Sequence, residues 1–400
     1  MRATTTPANG IVPALTSIRF LAALTVVLSH YRELDLLNTP ATFFDFVDGG
    51  RSAVSLFFVL SGFILTYTYR EELATQSPHN FYVARVARIY PNILLSLAIA
   101  SITTVWLVVT HNDVLLLKWF ALKSAINLSL AVSFVCQVLL ITAWFPFAAI
   151  NQPWNGPASS VSCEAFFYAL FPLILARFVK MRASTLAVTL VGIWIAQGLM
   201  IVFFLVVFPI SRSHFLAGAL PLCRIAEFML GIGAALAFQG SRARGVPTHR
   251  RGIALVSGSI AVLIVLALWQ PVTPVFYPQS PFFATLILGL ALLERHVLGV
   301  LNQRWLVRFG EASYALFLIH VPLAYLALIA GFRVNNGWIP LIFTLLFSVV
   351  VFAYFEEPMR RRIRRRFRAP ARVPAAAAAA AGETGPADPS VTVGPGMKPG

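Results

Sequence analysis

The sequence predicts an all-α, polytopic membrane helix bundle of about ten transmembrane helices, with both termini cytoplasmic. Three observations carry that expectation. Hydrophobic residues make up 58% of the 400, charged residues only 12%, and the mean hydropathy is +0.78. Soluble domains average about 25% charged residues, so this chain is built for lipid rather than as two or three soluble domains. Apolar stretches near the roughly 20-residue length needed to cross a bilayer recur along it. Basic residues then alternate between dense and sparse loops, as the positive-inside rule demands of an even number of spans.

Taken in order, the spans fall near 13–31, 51–69, 91–110, 158–177, 185–208, 216–238, 253–270, 281–298, 312–330 and 338–356. The first is followed by His30-Tyr31-Arg32-Glu33 and no small-residue cleavage site. It therefore reads as a retained helix rather than a signal peptide. The second contains Ser61 and Gly62, small residues that let helices pack closely in lipid. The third follows Arg85 and Arg88, and the fourth opens on Ser159 to Ser162. Arg224 and Glu227, at i and i+3 in the sixth, are expected to pair with each other. The ninth carries His320 ahead of Pro322, and the tenth runs into the arginine-rich stretch 360–368.

With the amino terminus inside, the inner loops hold Arg70, Arg85 and Arg88, then Arg177, Lys180 and Arg182, then Arg242, Arg244, Arg250 and Arg251. Arg295, Arg304, Arg308 and the arginine tail complete the inner set, while the outer loops hold Arg32, Arg51, Lys118, Lys123, Arg212 and Arg333. Residues 111–157 must begin and end outside. They form either a re-entrant or interfacial pair, tolerated where protein or a wet cavity satisfies the backbone, or two further spans. The domain reading is a cytoplasmic amino terminus at 1–12, a membrane domain at 13–358, and a basic then disordered cytoplasmic tail at 359–400.

The net charge of +16 invites a nucleic-acid reading. Much of it, however, lies beside the last span, where such a cluster attracts anionic lipid head groups, and no zinc-finger spacing or RNA-binding aromatic pattern accompanies it. No nucleic-acid partner is expected. Cys136, Cys163 and Cys223 are widely spaced in apolar surroundings and offer neither a disulfide framework nor a metal pair. The seven histidines show no ligand-like spacing, so no metal is expected.

Chemistry is carried by a few polar groups in this apolar chain. Arg19 and His30 are eleven residues apart, three turns plus about 20°, so they share one helix face roughly 16 Å apart along the axis. Ionisable groups within membranes are functional by default. Arg85 and Arg88 share a face on the inner side and suit a phosphate-rich ligand from the cytosol. Ser160, Glu164 and Tyr168 follow one another at i, i+4 and i+8. An unpaired Glu164 in the bundle would be costly, whereas a capping role explains a serine there, Ser162 included. His320 reads equally as a satisfied core residue or as a functional group, and Ser61 more readily as a packing residue.

These stretches together resemble the acyltransferase 3 family of integral-membrane O-acyltransferases acting on bacterial surface glycans. The resemblance runs from about residue 14 to residue 360. It rests on Arg19 and His30 in an ArgX10His spacing, SerLeuPhePheValLeuSerGlyPhe (55–63), PheTyrValAlaArgValAlaArgIleTyrPro (81–91), SerValSerCysGluAlaPhePheTyrAlaLeuPhePro (160–172), SerTyrAlaLeuPheLeuIleHisValPro (313–322) and PheGluGluPro (355–358). It implies a multi-pass protein of the cell inner membrane that moves an acyl group, often acetyl, from cytoplasmic acyl-CoA to a carbohydrate hydroxyl. Acyl-CoA is then a donor substrate rather than a resident cofactor. The resemblance further implies that His30 is the essential catalytic histidine and Arg19 its partner, that Arg85 and Arg88 touch CoA, and that Glu164 is the glutamate of a SerXSerXGlu element. The sequence departs from the family at Ser159 and Val161, where members often carry Trp and Leu, with Trp154 displaced upstream. No esterase-like soluble domain of the kind fused to some members is visible.

On this reading His30 deprotonates the sugar hydroxyl or briefly carries the acyl group. Glu164 orients His30 or the acceptor, and basic residues hold the CoA phosphates. The competing class is a proton-coupled transporter or flippase-like protein without acyl transfer, which buried Arg, Glu and His groups also suit.

Overall fold

A computed structural model describes residues 12–38, 50–245, 248–269, 277–293 and 299–369. The expected amino-terminal segment and the disordered part of the tail lie outside the described residues, apart from Val12 and 359–369. The chain is helical throughout, with no strand among the described residues.

The helices are α1 (Val12–Glu33), α2 (Gly50–Thr75), α3 (His79–Val109), α4 (Asp113–Phe120), α5 (Ile126–Val138), α6 (Ala148–Asn151), α7 (Ala158–Phe178) and α8 (Ala183–Val207). They continue as α9 (Ile210–Ala219), α10 (Ile225–Ala243), α11 (His249–Trp269), α12 (Ser280–Leu292), α13 (Arg304–Ile329), α14 (Trp338–Val351) and α15 (Glu357–Phe367). Among the described residues eight helical stretches are long and apolar enough to cross a bilayer: α1, α2, α3, α7, α8, α11, α13, and α14 running into α15.

Two expected spans differ from this pattern. The stretch near 216–238 is split: α9 ends at Ala219, a 3₁₀ turn occupies Pro221–Cys223, and α10 begins at Ile225. Pro221, lacking an amide hydrogen, cannot continue the ladder of α9. The span near 281–298 is helical over Ser280–Leu292, and residues 294–298 lie outside the described set. In the 111–157 segment, α5 is the longest helix at 13 residues. That is roughly 20 Å against a hydrocarbon core of about 30 Å, so two additional spans do not form there.

Burial separates a central layer from a lipid-facing periphery. The apolar window of α13 is 78% buried, whereas those of α8 and α11 are 17% and 11% buried. Val188, Val206 and Leu268 on the outer helices are largely exposed, as side chains that meet lipid must be. Around α13 gather α1, α2, α7 and α10, sharing the cluster of Val26, Phe58, Phe167, Phe228, Phe317 and Leu318.

Close backbone approach sets this core. A Cβ on Gly62 would lie 2.1 Å from the Phe228 carbonyl oxygen, and one on Gly231 would lie 1.9 Å from that of Val59. Thus α2 and α10 touch through reciprocal glycines, a packing mode favoured in lipid. Gly310 plays the same part where α13 meets Thr16 of α1. Since His30 meets His320 further along, α1 and α13 run parallel.

Candidate active site

Among the described residues, two cavities lie side by side at this core. The first, about 280 Å³, is lined by Arg19, Ser61, Arg85, Arg88, Ser160, Glu164, Tyr168, Ser313, Tyr314, Arg360 and Arg364 among others. The second, about 510 Å³, is lined by His30, Ser29, Glu33, Trp119, Asn151, Ser159, Ser160, Arg224 and Tyr325 among others. Val54, Phe58, Ser160 and Phe317 line both. The single face of α1 that carries Arg19 and His30 therefore runs from one chamber to the other.

In the basic cavity the polar groups interlock. Arg85 Nη2 donates to the Tyr69 hydroxyl at 2.8 Å, and its guanidinium sits 5.0, 5.6 and 5.4 Å over the rings of Tyr69, Phe81 and Tyr168, an attraction between cation and ring quadrupole. Arg88 stacks on Tyr314 at 4.9 Å and lies 4.0 Å from the fully buried Glu356 carboxylate. Glu356 in turn accepts from Asn92 Nδ2 at 2.7 Å. Glu164 accepts from Ser61 Oγ at 3.3 Å and from the Tyr168 hydroxyl one turn along. Arg19 lies within electrostatic reach of Arg88, Glu164, Tyr168 and Glu356. The Tyr314 hydroxyl and Arg85 Nε are buried beside this chamber and make no hydrogen bond among the described residues. Both are donors that a polar ligand can use.

The histidine cavity is built around an imidazole pair. His320 is fully buried on α13. Its Nδ1 lies 3.2 Å from the Leu316 carbonyl oxygen, which can only accept, so Nδ1 carries the proton and Nε2 is an acceptor. His30 Nδ1 lies 3.2 Å from that Nε2 and 3.0 Å from the Val26 carbonyl oxygen, so it must be the donor to both. The tautomer assigned by this network leaves the basic lone pair of His30 on Nε2. Local sequence keeps the arrangement in place. Pro322 cannot donate to the Leu318 carbonyl four residues back, and the buried Asn155 Nδ2 donates there instead at 2.8 Å.

The structure thus gathers Arg19, Arg85, Arg88, Ser61, Ser160, Glu164 and Tyr168 around one chamber and places His30, with His320 behind it, at the other. For Glu164 and Ser162 the placement is more specific than the sequence reading. His30 bonds His320 and the Val26 carbonyl oxygen, while Glu164, one turn beyond Ser160, lies with Ser61 and Tyr168 in the arginine-lined chamber. Ser162 lines neither cavity; its Oγ accepts from the Ala143 amide at 3.3 Å, and it braces the 3₁₀ turn Thr142–Trp144. Arg224 and Glu227 pair at 3.0 Å as expected, with Ser55 bridging them. Glu356 entered the sequence reading only within PheGluGluPro (355–358), with no role assigned, and Asn155 did not enter it. A glutamate closing an apolar run is a signal for the first, since a carboxylate there needs a cation. A carbonyl orphaned by Pro322 is the signal for the second, though the sequence does not say who satisfies it.

The profile of the acyltransferase 3 family, described as an acyltransferase domain, matches residues 12–355. The chain belongs to the acyltransferase 3 family. Relatives include the acyltransferase MdmB of Streptomyces mycarofaciens, 29% identical over 349 residues, covering 82% of this chain and 81% of that protein. Another is the peptidoglycan O-acetyltransferase OatA of Listeria monocytogenes, 23% identical over 394 residues, covering 90% of this chain but 58% of the relative. The chain therefore spans most of the first and somewhat over half of the second. No solved structure matches it significantly. Membership of the acyltransferase 3 family, with the eight long apolar helices, makes it a multi-pass membrane acyltransferase, and the two cavities are where its chemistry is to be sought.

Proposed function

We propose that this acyltransferase takes an acyl group, acetyl in the simplest case, from cytoplasmic acyl-CoA and passes it to a sugar hydroxyl of a surface or exported glycan at the cell inner membrane. One observation carries the reading: a chamber rich in guanidinium groups and a chamber holding an oriented imidazole share the wall formed by Val54, Phe58, Ser160 and Phe317. A polyanionic thioester needs the first and hydroxyl activation needs the second. The name of OatA, a peptidoglycan O-acetyltransferase, supports a glycan hydroxyl as acceptor.

The transfer balances with this chain's own groups. His30 Nε2 takes the hydroxyl proton as the alcohol oxygen attacks the thioester carbonyl carbon. The carbon–oxygen bond forms, the carbon–sulfur bond breaks, and the same imidazole returns the proton to the departing thiolate. His320 Nε2 and the Val26 carbonyl stabilise the transient imidazolium through its Nδ1–H. Arg85, Arg88 and the Tyr314 hydroxyl hold phosphate and amide groups of the donor. Glu164, bonded to Ser61 and Tyr168, keeps the arginine cluster from repelling itself apart.

The test uses purified protein in nanodiscs with labelled acetyl-CoA and a soluble oligosaccharide, following both labelled ester and released CoA thiol. Wild type should produce the two in equal amounts, and His30→Ala should lower both by about 10²–10⁴-fold, the usual worth of a general base. Equal turnover by the two proteins removes His30 from the mechanism. Sugar flux without CoA release points instead to a transporter.

A further inference from the structure

We propose that the carboxy-terminal helix α15 is a wall of the donor site, and that Arg360 and Arg364 bind a phosphate group of the incoming thioester donor. This rests on the proposed function and extends it to a helix beyond the family match, which ends at residue 355.

Sequence and position agree on this face. Arg360 and Arg364 are four residues apart on α15, hence on one side of it, and both line the basic cavity with Arg19, Arg85 and Arg88. Arg361, Arg362, Arg365 and Arg366 do not line it and are exposed. The same short helix thus points some cations into the chamber and others away from it.

The helix is held there at both ends. A π-helical turn at Phe352–Glu356 separates α14 from α15. Its extra residue turns everything beyond it by roughly 100° relative to an uninterrupted helix. Glu356 is thereby buried against Asn92 and Arg88 of α3. At the far end the Asn80 side chain bonds both backbone polar groups of Ala369: its Oδ1 accepts from the Ala369 amide at 2.8 Å and its Nδ2 donates to the Ala369 carbonyl at 3.2 Å. A lipid-bound tail needs neither anchor.

The arginines that line the chamber differ in how their charge is balanced. Arg88 faces Glu356, Arg85 lies among aromatic rings, and Arg360 pairs with Glu357. Arg364 has no carboxylate within 4.0 Å among the described residues. Arg360 is half-buried and Arg364 exposed, so the uncompensated cation stands at the rim, where the phosphorylated end of a donor remains while its thioester reaches inward. Guanidinium forks match phosphate oxygens in a bidentate manner. An anionic lipid phosphodiester has the same chemistry, and the test separates the two sources.

CoA itself is titrated by calorimetry onto the full-length protein in phosphatidylcholine nanodiscs, alongside acetyl-CoA kinetics. Arg360→Gln/Arg364→Gln should weaken CoA binding and raise the acetyl-CoA KM by about tenfold or more, as expected for lost charge-assisted bonds to phosphate. The kcat and the acceptor KM should change less than about twofold. Arg364→Lys should retain part of the affinity, and the outward pair Arg362→Gln/Arg365→Gln all of it. Unchanged CoA affinity in the double variant overturns the proposal. So does an effect that appears only after phosphatidylglycerol is added, which assigns the pair to lipid. A wild type that binds CoA through these arginines yet forms no ester defeats the proposed function and leaves this inference standing.

Discussion

The two chambers differ in how many groups share each task. Around the basic cavity the work is distributed: five arginines line it, and Tyr69, Phe81, Tyr168, Tyr314, Glu164 and Glu356 position or balance them. In the histidine cavity it is concentrated in one imidazole, held by a second imidazole and the Val26 carbonyl oxygen. Binding a polyanion tolerates loss of one contact among several. A proton transfer needs one atom in one tautomer. Variants in the first chamber should therefore act gradually on donor KM, and variants in the second steeply on kcat.

The steepest effect, after His30 itself, is expected at His320. His320→Ala removes the side-chain acceptor of His30 Nδ1–H and leaves the Val26 carbonyl alone to hold it, and kcat should fall about 10–100-fold with donor and acceptor KM nearly unchanged, a pattern characteristic of interactions made only in the transition state. His320→Gln, which keeps an acceptor near the same place, should recover part of that loss. If His320→Ala instead alters only thermal stability, the concentration of function in this chamber is refuted. Next in size is Asn155→Leu. Leaving the Leu318 carbonyl unsatisfied costs about 1–3 kcal/mol, and kcat should fall with stability because α13 is loosened two residues from His320.

On the basic side, Glu356→Gln should raise the acetyl-CoA KM roughly three- to tenfold, since Arg88 loses the charge that fixes it. Tyr168→Phe is expected to have the smallest effect, about two- to fivefold on the same KM, the worth of one hydrogen bond to a carboxylate that keeps Ser61 as a donor. A larger kcat than KM effect at either position would bring this chamber into the chemistry and blur the contrast.

The same contrast governs what could be read without coordinates. The helical membrane class was legible because lipid leaves a chain few alternatives. Arg19, Arg85, Arg88 and the Ser160–Glu164–Tyr168 face were legible because charge in an apolar run is expensive and helical spacing states which groups share a side. Partnerships across helices were not legible. The His30–His320 contact joins residues 290 positions apart, and nothing local distinguishes it from a contact with Glu164. The breaks at Pro221 and at the π turn escaped notice for a related reason: mean hydropathy registers apolar length but not the hydrogen-bond register within it. Residues 39–49, part of the expected outer loop between the first two spans, lie outside the described residues.

The central claim is that donor and acceptor enter from opposite faces and meet at the wall shared by the two chambers. Its most direct measurement uses proteoliposomes in which all molecules carry α15 outward, with labelled acetyl-CoA and an impermeant oligosaccharide placed on chosen sides. Labelled ester should accumulate in the lumen when acetyl-CoA is outside and the oligosaccharide inside, and should be at background when both are outside. Ester formed equally well with both substrates on the outer side, and none in the crossed arrangement, would contradict the account.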